Sequence, residues 1–383
     1  IQNYYTQLGL IDVLFELLKS KNKSIALQSV LLSLSTLYGG NRTVQETFFL
    51  KFISDDENKV IGDISKKFHN LWETFGKLET TRLSNIYAQV QKNLFDCMAE
   101  VSNYKDLSPI ELQDRAMKGL EKEFACAAQE EAETLIIYLT FLQALCEKQF
   151  TKMQSFLRDQ KWQDHQLLRP FDFLDFIRHV MNNYSKILTR HNLPLGNQLI
   201  ELLTDLIQGE VPENIASLLH KTFIYDMCRI ITDFNSRYHT LPRGFGLNPS
   251  HPQFRDFKGN IIELFKTMLE NRNDKNTQLL RQHLDLNGLL QAMGDFMTDF
   301  VNFKGIKKIT DTQEFMNSLD MEDFSGSLTI AINIYIIFRY VWEDGHEFNQ
   351  EIKNRILQIY KDDPAKQDFL SKIIYILPLS SNI

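Results

Sequence analysis

The residues of this chain best placed to do chemistry are acids set where a helix should end. In Asn197 to Asn214, NQLIELLTDLIQGEVPEN, Leu199, Leu202, Leu203 and Leu206 recur at i, i+3, i+4 and i+7, while Glu201, Thr204, Asp205 and Gln208 fall on the other face. Asn197 is placed to cap the start, Gly209 tolerates the left-handed conformation that closes a helix, and Pro212 forbids continuation. Asp205 is thereby set in a last turn, where the carbonyl end of the helix dipole favours a cation. Glu201 with Asp205 is also a carboxylate pair of the kind used in acid–base work, but no second motif accompanies it. Cys146 with His165 or His179 could be imagined as nucleophile and base; a cysteine inside an apolar helical pattern is far more often packing.

Composition narrows what these residues serve. The 383 residues are 43% hydrophobic and 24% charged, ordinary for a globular protein with a large core. A formal net charge of -7 with no basic stripe argues against a nucleic-acid binder, and Lys304, Lys307 and Lys308 read as a solvated turn. The cysteines Cys97, Cys126, Cys146 and Cys228 form no C-x-x-C pair, so buried free thiols are expected rather than zinc or disulfides. The most apolar segment, Leu328 to Trp342, is broken by Thr329, Asn333 and Arg339 and is too short to span a membrane. Asn41-Arg42-Thr43 and Asn183-Tyr184-Ser185 match the glycosylation sequon, a triplet common by chance. The chain opens at Ile1 with no leader pattern, and we expect an internal piece of a longer protein.

The elements that must position these residues all read as helices. The pattern predicts Leu8 to Lys19, Ser24 to Leu37, a helix capped by Asn41 or Thr43, and a long helix over Asp63 to Val101 with a weak point at Glu79 to Arg82. Further helices are predicted over Ala132 to Phe150, Met153 to Leu157, Phe171 to Leu188 after Pro170, Asn214 to Tyr238, Phe257 to Glu270, Thr277 to Leu284, Leu289 to Phe303, Leu328 to Trp342 and Glu347 to Tyr360. Leu193 to Gly196 reads as a turn, Tyr104 to Gln129 as a polar connector, and His239 to Gln253 as a Pro- and Gly-rich loop. No alternating strands are evident. The fold class expected is all-α, an armadillo-like solenoid of stacked antiparallel helix hairpins, though no strict sequence repeat marks it.

Three stretches resemble the inositol trisphosphate receptor and ryanodine receptor calcium-release channels. They are LLSLSTLYGGNRTVQETFF at Leu31 to Phe49, FLQALCEKQFTKMQSFLRDQ at Phe141 to Gln160, and Leu203-Thr204-Asp205 followed by Gln208-Gly209. Asn333-Ile334-Tyr335-Ile336 with Glu347 to Ile352 adds a weaker match on the inositol trisphosphate side. The departures are Ile207-Gln208-Gly209-Glu210-Val211 in place of the family's Cys-Gln-Gly-Pro-Cys, and a short spacer after Phe49. No D-x-D-x-D-G loop follows Phe303, which disfavours the ryanodine branch.

The resemblance implies a non-catalytic cytosolic segment of a homotetrameric channel on the cytoplasmic side of the endoplasmic reticulum or a related store. Its partners would be other segments and subunits of the same channel, with no nucleic acid and no membrane insertion of its own. It implies N-terminal hairpins over 1–103, a connector over 104–130, the receptor-homology-associated domain over 131–238, a loop over 239–256 and a part leading toward the channel over 257–383. It also implies a regulatory Ca2+ site, weak in the isolated segment, whose acids fall on Asp205 and Glu270. The residues agree: Glu263, Lys266, Thr267 and Glu270 make a polar stripe ending in a last turn, and helices n and n+2 of a hairpin stack run parallel. The reading from a different class is a free-standing armadillo-like scaffold that binds proteins without calcium.

Overall fold

The computed structural model describes residues 1–55, 59–100, 128–162, 165–166, 171–184, 187–189, 192–232, 252–270, 274–303, 326–341 and scattered positions between 352 and 364. Among the described residues the chain is all-α apart from one antiparallel ladder of two-residue strands, β1 (Lys161–Trp162) and β2 (His165–Gln166). The helices are α1 (Gln2–Gln7), α2 (Leu10–Leu18), α3 (Lys23–Leu37), α4 (Arg42–Ile53), α5 (Lys59–Glu100), α6 (Gln129–Cys146), α7 (Thr151–Arg158), α8 (Phe173–Tyr184), α9 (Leu193–Ile207), α10 (Pro212–Leu218), α11 (Lys221–Thr232), α12 (Pro252–Glu270), α13 (Asp274–His283), α14 (Leu286–Phe303) and α15 (Ser327–Val341). Helices α1 to α10 make one compact unit and α11 to α15 a second.

Several boundaries differ from the sequence pattern, each for a local reason. Gly9, at φ 83°, starts the predicted first helix at Leu10 instead of Leu8 and separates it from α1, a short helix that the pattern does not predict. The weak point in α5 does not split it, because Glu79 and Arg82 turn inward as a buried ion pair one turn apart. Leu193 to Gly196 is the first turn of α9 rather than a preceding turn, and Asn192, not Asn197, is its N-cap residue. Pro194 is tolerated there because a first-turn N–H has no intrahelical partner to lose. The Asn192 side chain instead accepts from Thr189 N (2.8 Å) and the Tyr184 hydroxyl (3.0 Å) and donates to Ile187 O (2.8 Å), knotting the entry to α9. The predicted helix from Asn214 divides at residues 219 and 220 into α10 and α11. Pro252 opens α12 instead of ending the loop; the rest of that loop, 239–251, lies outside the described residues, as do 104–127 of the polar connector, Pro170, and the Lys304, Lys307 and Lys308 cluster. Only isolated positions of the helix predicted after Glu347 are described, among them the buried Ile352.

The first unit is a solenoid of three-helix layers, α2–α3–α4, α5–α6–α7 and α8–α9–α10, in which α3 packs on α6 and α6 on α9. Asn22 and Asn41 cap α3 and α4 with their side-chain oxygens, as turn residues of this type should. Phenylalanines join the layers: Phe48 meets Phe141 edge-on at 5.8 Å, and Phe49 meets Phe156 at 5.8 Å. Edge-to-face pairs of this kind contribute about 1 kcal/mol each beyond their buried area.

The middle helix of each layer ends in the same way. The first residue past α3, α6 and α9 is extended (Tyr38 ψ 129°, Glu147 ψ 145°, Gln208 ψ 132°), and left-handed residues follow at Gly39 and Gly40, at Lys148 and Gln149, and at Gly209. Each end is tied by a glutamine from an earlier helix, α1, α4 or α7. Gln2 Nε2 donates to Ser35 O and Tyr38 O, both at 3.1 Å; Gln45 Nε2 donates to Ala144 O and Glu147 O, both at 2.9 Å; Gln154 Nε2 donates to Asp205 O and, at 2.9 Å, to Gln208 O. These amides satisfy carbonyls that a helix terminus leaves without partners. The turns also interlock, since a Cβ on Gly40 would lie 2.9 Å from Lys148 Cδ and one on Gly209 would lie 3.3 Å from Gln149 Cβ. The lysine amine of Lys148 reaches back to Gly39 O, and Arg42 donates to Lys148 O at 2.9 Å.

In the second unit α15 packs on α12, α13 and α14, and α11 packs on α12, α13 and α14. Phe254, Phe257, Ile261, Ile334, Ile337 and Phe338 are fully buried there. Gly259 permits the close approach of α12 and α15, because a Cβ would stand 3.1 Å from Ile330.

Candidate functional site

Asp205 lies in the last turn of α9, as the sequence predicts, with Gly209 left-handed just beyond and Pro212 opening the next helix. Burial pushes its carboxyl above the usual range, a hydrogen bond from the Gln143 side chain on α6 opposes this, and the charge of Glu147 adds to it. Glu201, one turn earlier, is likewise raised by burial and then by Asp205. No ion pair reaches Asp205 among the described residues. The main chain below it is held by Gln154, and Asn214 Nδ2 donates to Leu206 O at 2.7 Å and Gln154 O at 3.1 Å. Arg158 Nε in turn holds Asn214 Oδ1 at 2.8 Å.

A file of polar side chains crosses the α6–α9 seam. The Thr140 hydroxyl donates to Gln198 Oε1 at 3.0 Å, or to Ile136 O at 2.8 Å, and Gln198 Nε2 donates to Gln143 Oε1 at 2.5 Å. The Gln143 oxygen is thereby occupied as an acceptor. Sequence reasoning passed over Gln45, Gln143, Gln154 and Gln198, because glutamine on an amphipathic helix carries no charge and no strong periodic signal.

Glu270 is the exposed last residue of α12, again in a last turn. Partial burial raises its carboxyl, Lys266 opposes this and Glu263 adds to it. The stripe it terminates is less open than the pattern suggests: Thr267 is buried, Glu263 pairs with Lys266 at 2.8 Å and accepts from Asn333 Nδ2 on α15 at 2.8 Å. Asp205 belongs to the first unit and Glu270 to the second. The described residues carry two helices, α10 and α11, between α9 and α12, so the premise that these are helices n and n+2 does not hold. Among the described residues no group of three or more His, Cys, Asp and Glu is arranged to hold a metal ion.

The other candidates resolve simply. Cys146 and Cys228 are buried free thiols. Burial and then the charge of Asp205 push the Cys146 thiol well up, and burial pushes Cys228 up to about 12, so neither offers a thiolate. His179 is exposed on α8 beside Asp175, and the side chain of His165 lies outside the described residues. No described helix is long and apolar enough to cross a membrane.

Residues 129–231, from the first residue of α6 into α11, match the family described as RyR and IP3R Homology associated. The match takes in α6 and α7 of the second layer, the whole third layer and Asp205, and stops before Glu270. It supports kinship with the inositol trisphosphate and ryanodine receptor channels over about a quarter of the chain.

Proposed function

We propose that this chain is a coupling and regulatory segment of a tetrameric intracellular calcium-release channel of the inositol trisphosphate receptor type, on the cytoplasmic side of the endoplasmic reticulum or a related store. The observation that carries the reading is the family match over residues 129–231, within which the half-buried Asp205 stands at a carbonyl-rich helix end. The preference for the inositol trisphosphate branch rests on Leu31 to Phe49 and on the lack of an acidic calcium loop after Phe303. The segment does no catalysis in this reading. It carries displacement from upstream ligand binding toward the pore and lends Asp205 and Glu270 to a regulatory calcium site.

Asp205 has two acids for neighbours and one amide donor, Glu270 ends a helix, and calcium takes about six to eight oxygens. Two carboxylates supply only part of that number, so the isolated chain should bind calcium on the order of millimolar. Glu270→Gln in the full channel should move calcium activation to higher concentration while the domain stays folded; unchanged calcium dependence would remove the site and leave the coupling role. The scaffold reading draws on a different observation, the exposed apolar side chains Tyr4 (61%), Leu8 (64%) and Val13 (57%) at the start of the first unit. A full-length chain lacking pore helices would favour it.

A further inference from the structure

We propose that the groove between α3, α5 and α6 binds an extended peptide of a partner protein, an acidic residue of which meets Lys67 and Tyr138 while a basic residue three positions away meets Glu130 and Glu131. The groove has a volume of about 410 Å³, within the range of ligand sites, and its walls belong wholly to the first unit. Calcium plays no part in it. Two donors at one end lack acceptors. Tyr138 is only 4% exposed, yet its hydroxyl makes no hydrogen bond among the described residues, whereas a buried phenol usually finds a partner. The half-buried Lys67 amine lies 5.8 Å from the centre of the Tyr138 ring and reaches no carboxylate among the described residues. Asp63, one turn back on α5, pairs instead with Lys66 at 3.8 Å. Burial lowers the pKa of Lys67, and the charge of Asp63 opposes this only in part. An oxyanion would accept from both donors at once.

The other end has the opposite sign. Glu130 and Glu131 stand in the first turn of α6, two turns before Tyr138 and about 10 to 12 Å from it along the axis at about 1.5 Å per residue. Neither makes an ion pair among the described residues. Lys23 shares this end, since the last turns of α3 and α6 lie side by side and Lys23 is as far before Leu37 as Ala132 is before Cys146; two glutamates still leave negative charge in excess. A simple anion would suit one end and be repelled by the other. A peptide in the extended polyproline II form advances about 3.1 Å per residue with about three residues per turn, so side chains three positions apart share a face and stand about 9 Å apart. That spacing matches the two ends. Between them Leu27 and Leu71 are apolar, and Asn70 and Thr134 can both donate and accept, as the groups of a peptide backbone require.

The test is thermophoresis of the dye-labelled full-length protein, titrated to millimolar concentration with the end-blocked tetrapeptide glutamate-alanine-alanine-arginine and with the same residues in reverse order. One of the two orders should bind. Lys67→Met and Tyr138→Phe should each weaken that binding about tenfold, the usual consequence of losing a hydrogen bond to a charged group. Neither should alter the binding of a peptide with glutamine in place of the glutamate, because the group they meet has gone. Glu130→Gln together with Glu131→Gln should weaken the arginine-bearing peptide and leave unchanged one with alanine in that place. Helical circular dichroism equal to the parent's separates weakened binding from unfolding. Failure of both peptides to bind, or undiminished binding to Lys67→Met, overturns the proposal. Binding that survives replacement of the arginine undiminished marks a site for simple organic anions and overturns the peptide assignment.

Discussion

Replacing Gln45 by leucine removes one donor group that serves two carbonyls, and the structure allows its cost to be worked out. Gln45 is fully buried, and its amide nitrogen lies 2.9 Å from both Ala144 O and Glu147 O. Stranding two carbonyls at a part-buried helix end should cost about 3 kcal/mol. The Gln45 oxygen is itself buried without a hydrogen-bond partner, so removing it returns about 1 kcal/mol, for a net loss of about 2 kcal/mol. Gln45→Glu should be worse, about 4 kcal/mol at neutral pH, because a carboxylate cannot donate and would face the negative end of α6. A glutamate there gains a donor only when protonated, so its folded pKa is raised; the relative stability of this variant is greatest in acid and is lost as pH rises through that folded value. Urea unfolding can be followed by Trp72, which packs 5.5 Å from Phe75 and 6.5 Å from Tyr184 in the first unit, with Trp162 and Trp342 replaced by phenylalanine. A Gln45→Leu protein within about 0.5 kcal/mol of its parent, or a Gln45→Glu protein no less stable than Gln45→Leu at every pH, would refute the reasoning.

Two further outcomes follow from charges buried inside helices. Glu79 and Arg82 are 2% and 8% exposed, so Glu79→Leu should destabilise the first unit by about 3 kcal/mol by removing the carboxylate of a buried ion pair, whereas the double replacement Glu79→Leu, Arg82→Leu should recover most of it; a double variant less stable than the single one contradicts this. Lys258 on α12 is lowered to about 8 by burial, against the pull of Asp295 and Asp299. Between about pH 8 and the ordinary lysine value of 10.5 the unfolded chain keeps a proton that the folded chain has released, so this lysine makes stability rise with pH across that window. Lys258→Met should flatten that rise and raise stability near neutral pH; an identical pH slope in both proteins would show that the lysine is not desolvated.

The helices were legible because apolar residues at three- and four-residue spacing must find a core, and the all-α class followed from their number. Their ends were less legible where an inward-facing polar group does what an apolar one was expected to do, as at Glu79 and Arg82, or where Asn192 is consumed by Tyr184 and Thr189 instead of capping as a free side chain. The layered repeat was invisible in the sequence. Gly39-Gly40 and Lys148-Gln149 share no side-chain chemistry, yet adopt the same left-handed backbone, and only Gln45 and Gln154, equally far beyond Leu37 and Cys146, mark the correspondence. Lys148 and Gln149 carry the conformation at about 1 to 2 kcal/mol each, a cost that local sequence would not lead one to expect and that the neighbouring turns offset by packing over them. Of the candidate site, the placement of Asp205 and Glu270 in last turns could be read from capping signals. The amide file across the α6–α9 seam could not, since it depends on which faces of α6 and α9 meet.

The direction of the glutamine ties has a consequence for how the protein is made. Gln2 precedes α3, Gln45 precedes α6 and Gln154 precedes α9, so in every tie the donor is translated before the carbonyls it will receive. As the nascent chain leaves the ribosome, each completed layer already displays the amide that will close the next helix. If the stack grows in chain order, each newly emerged helix meets an amide already placed for its terminus.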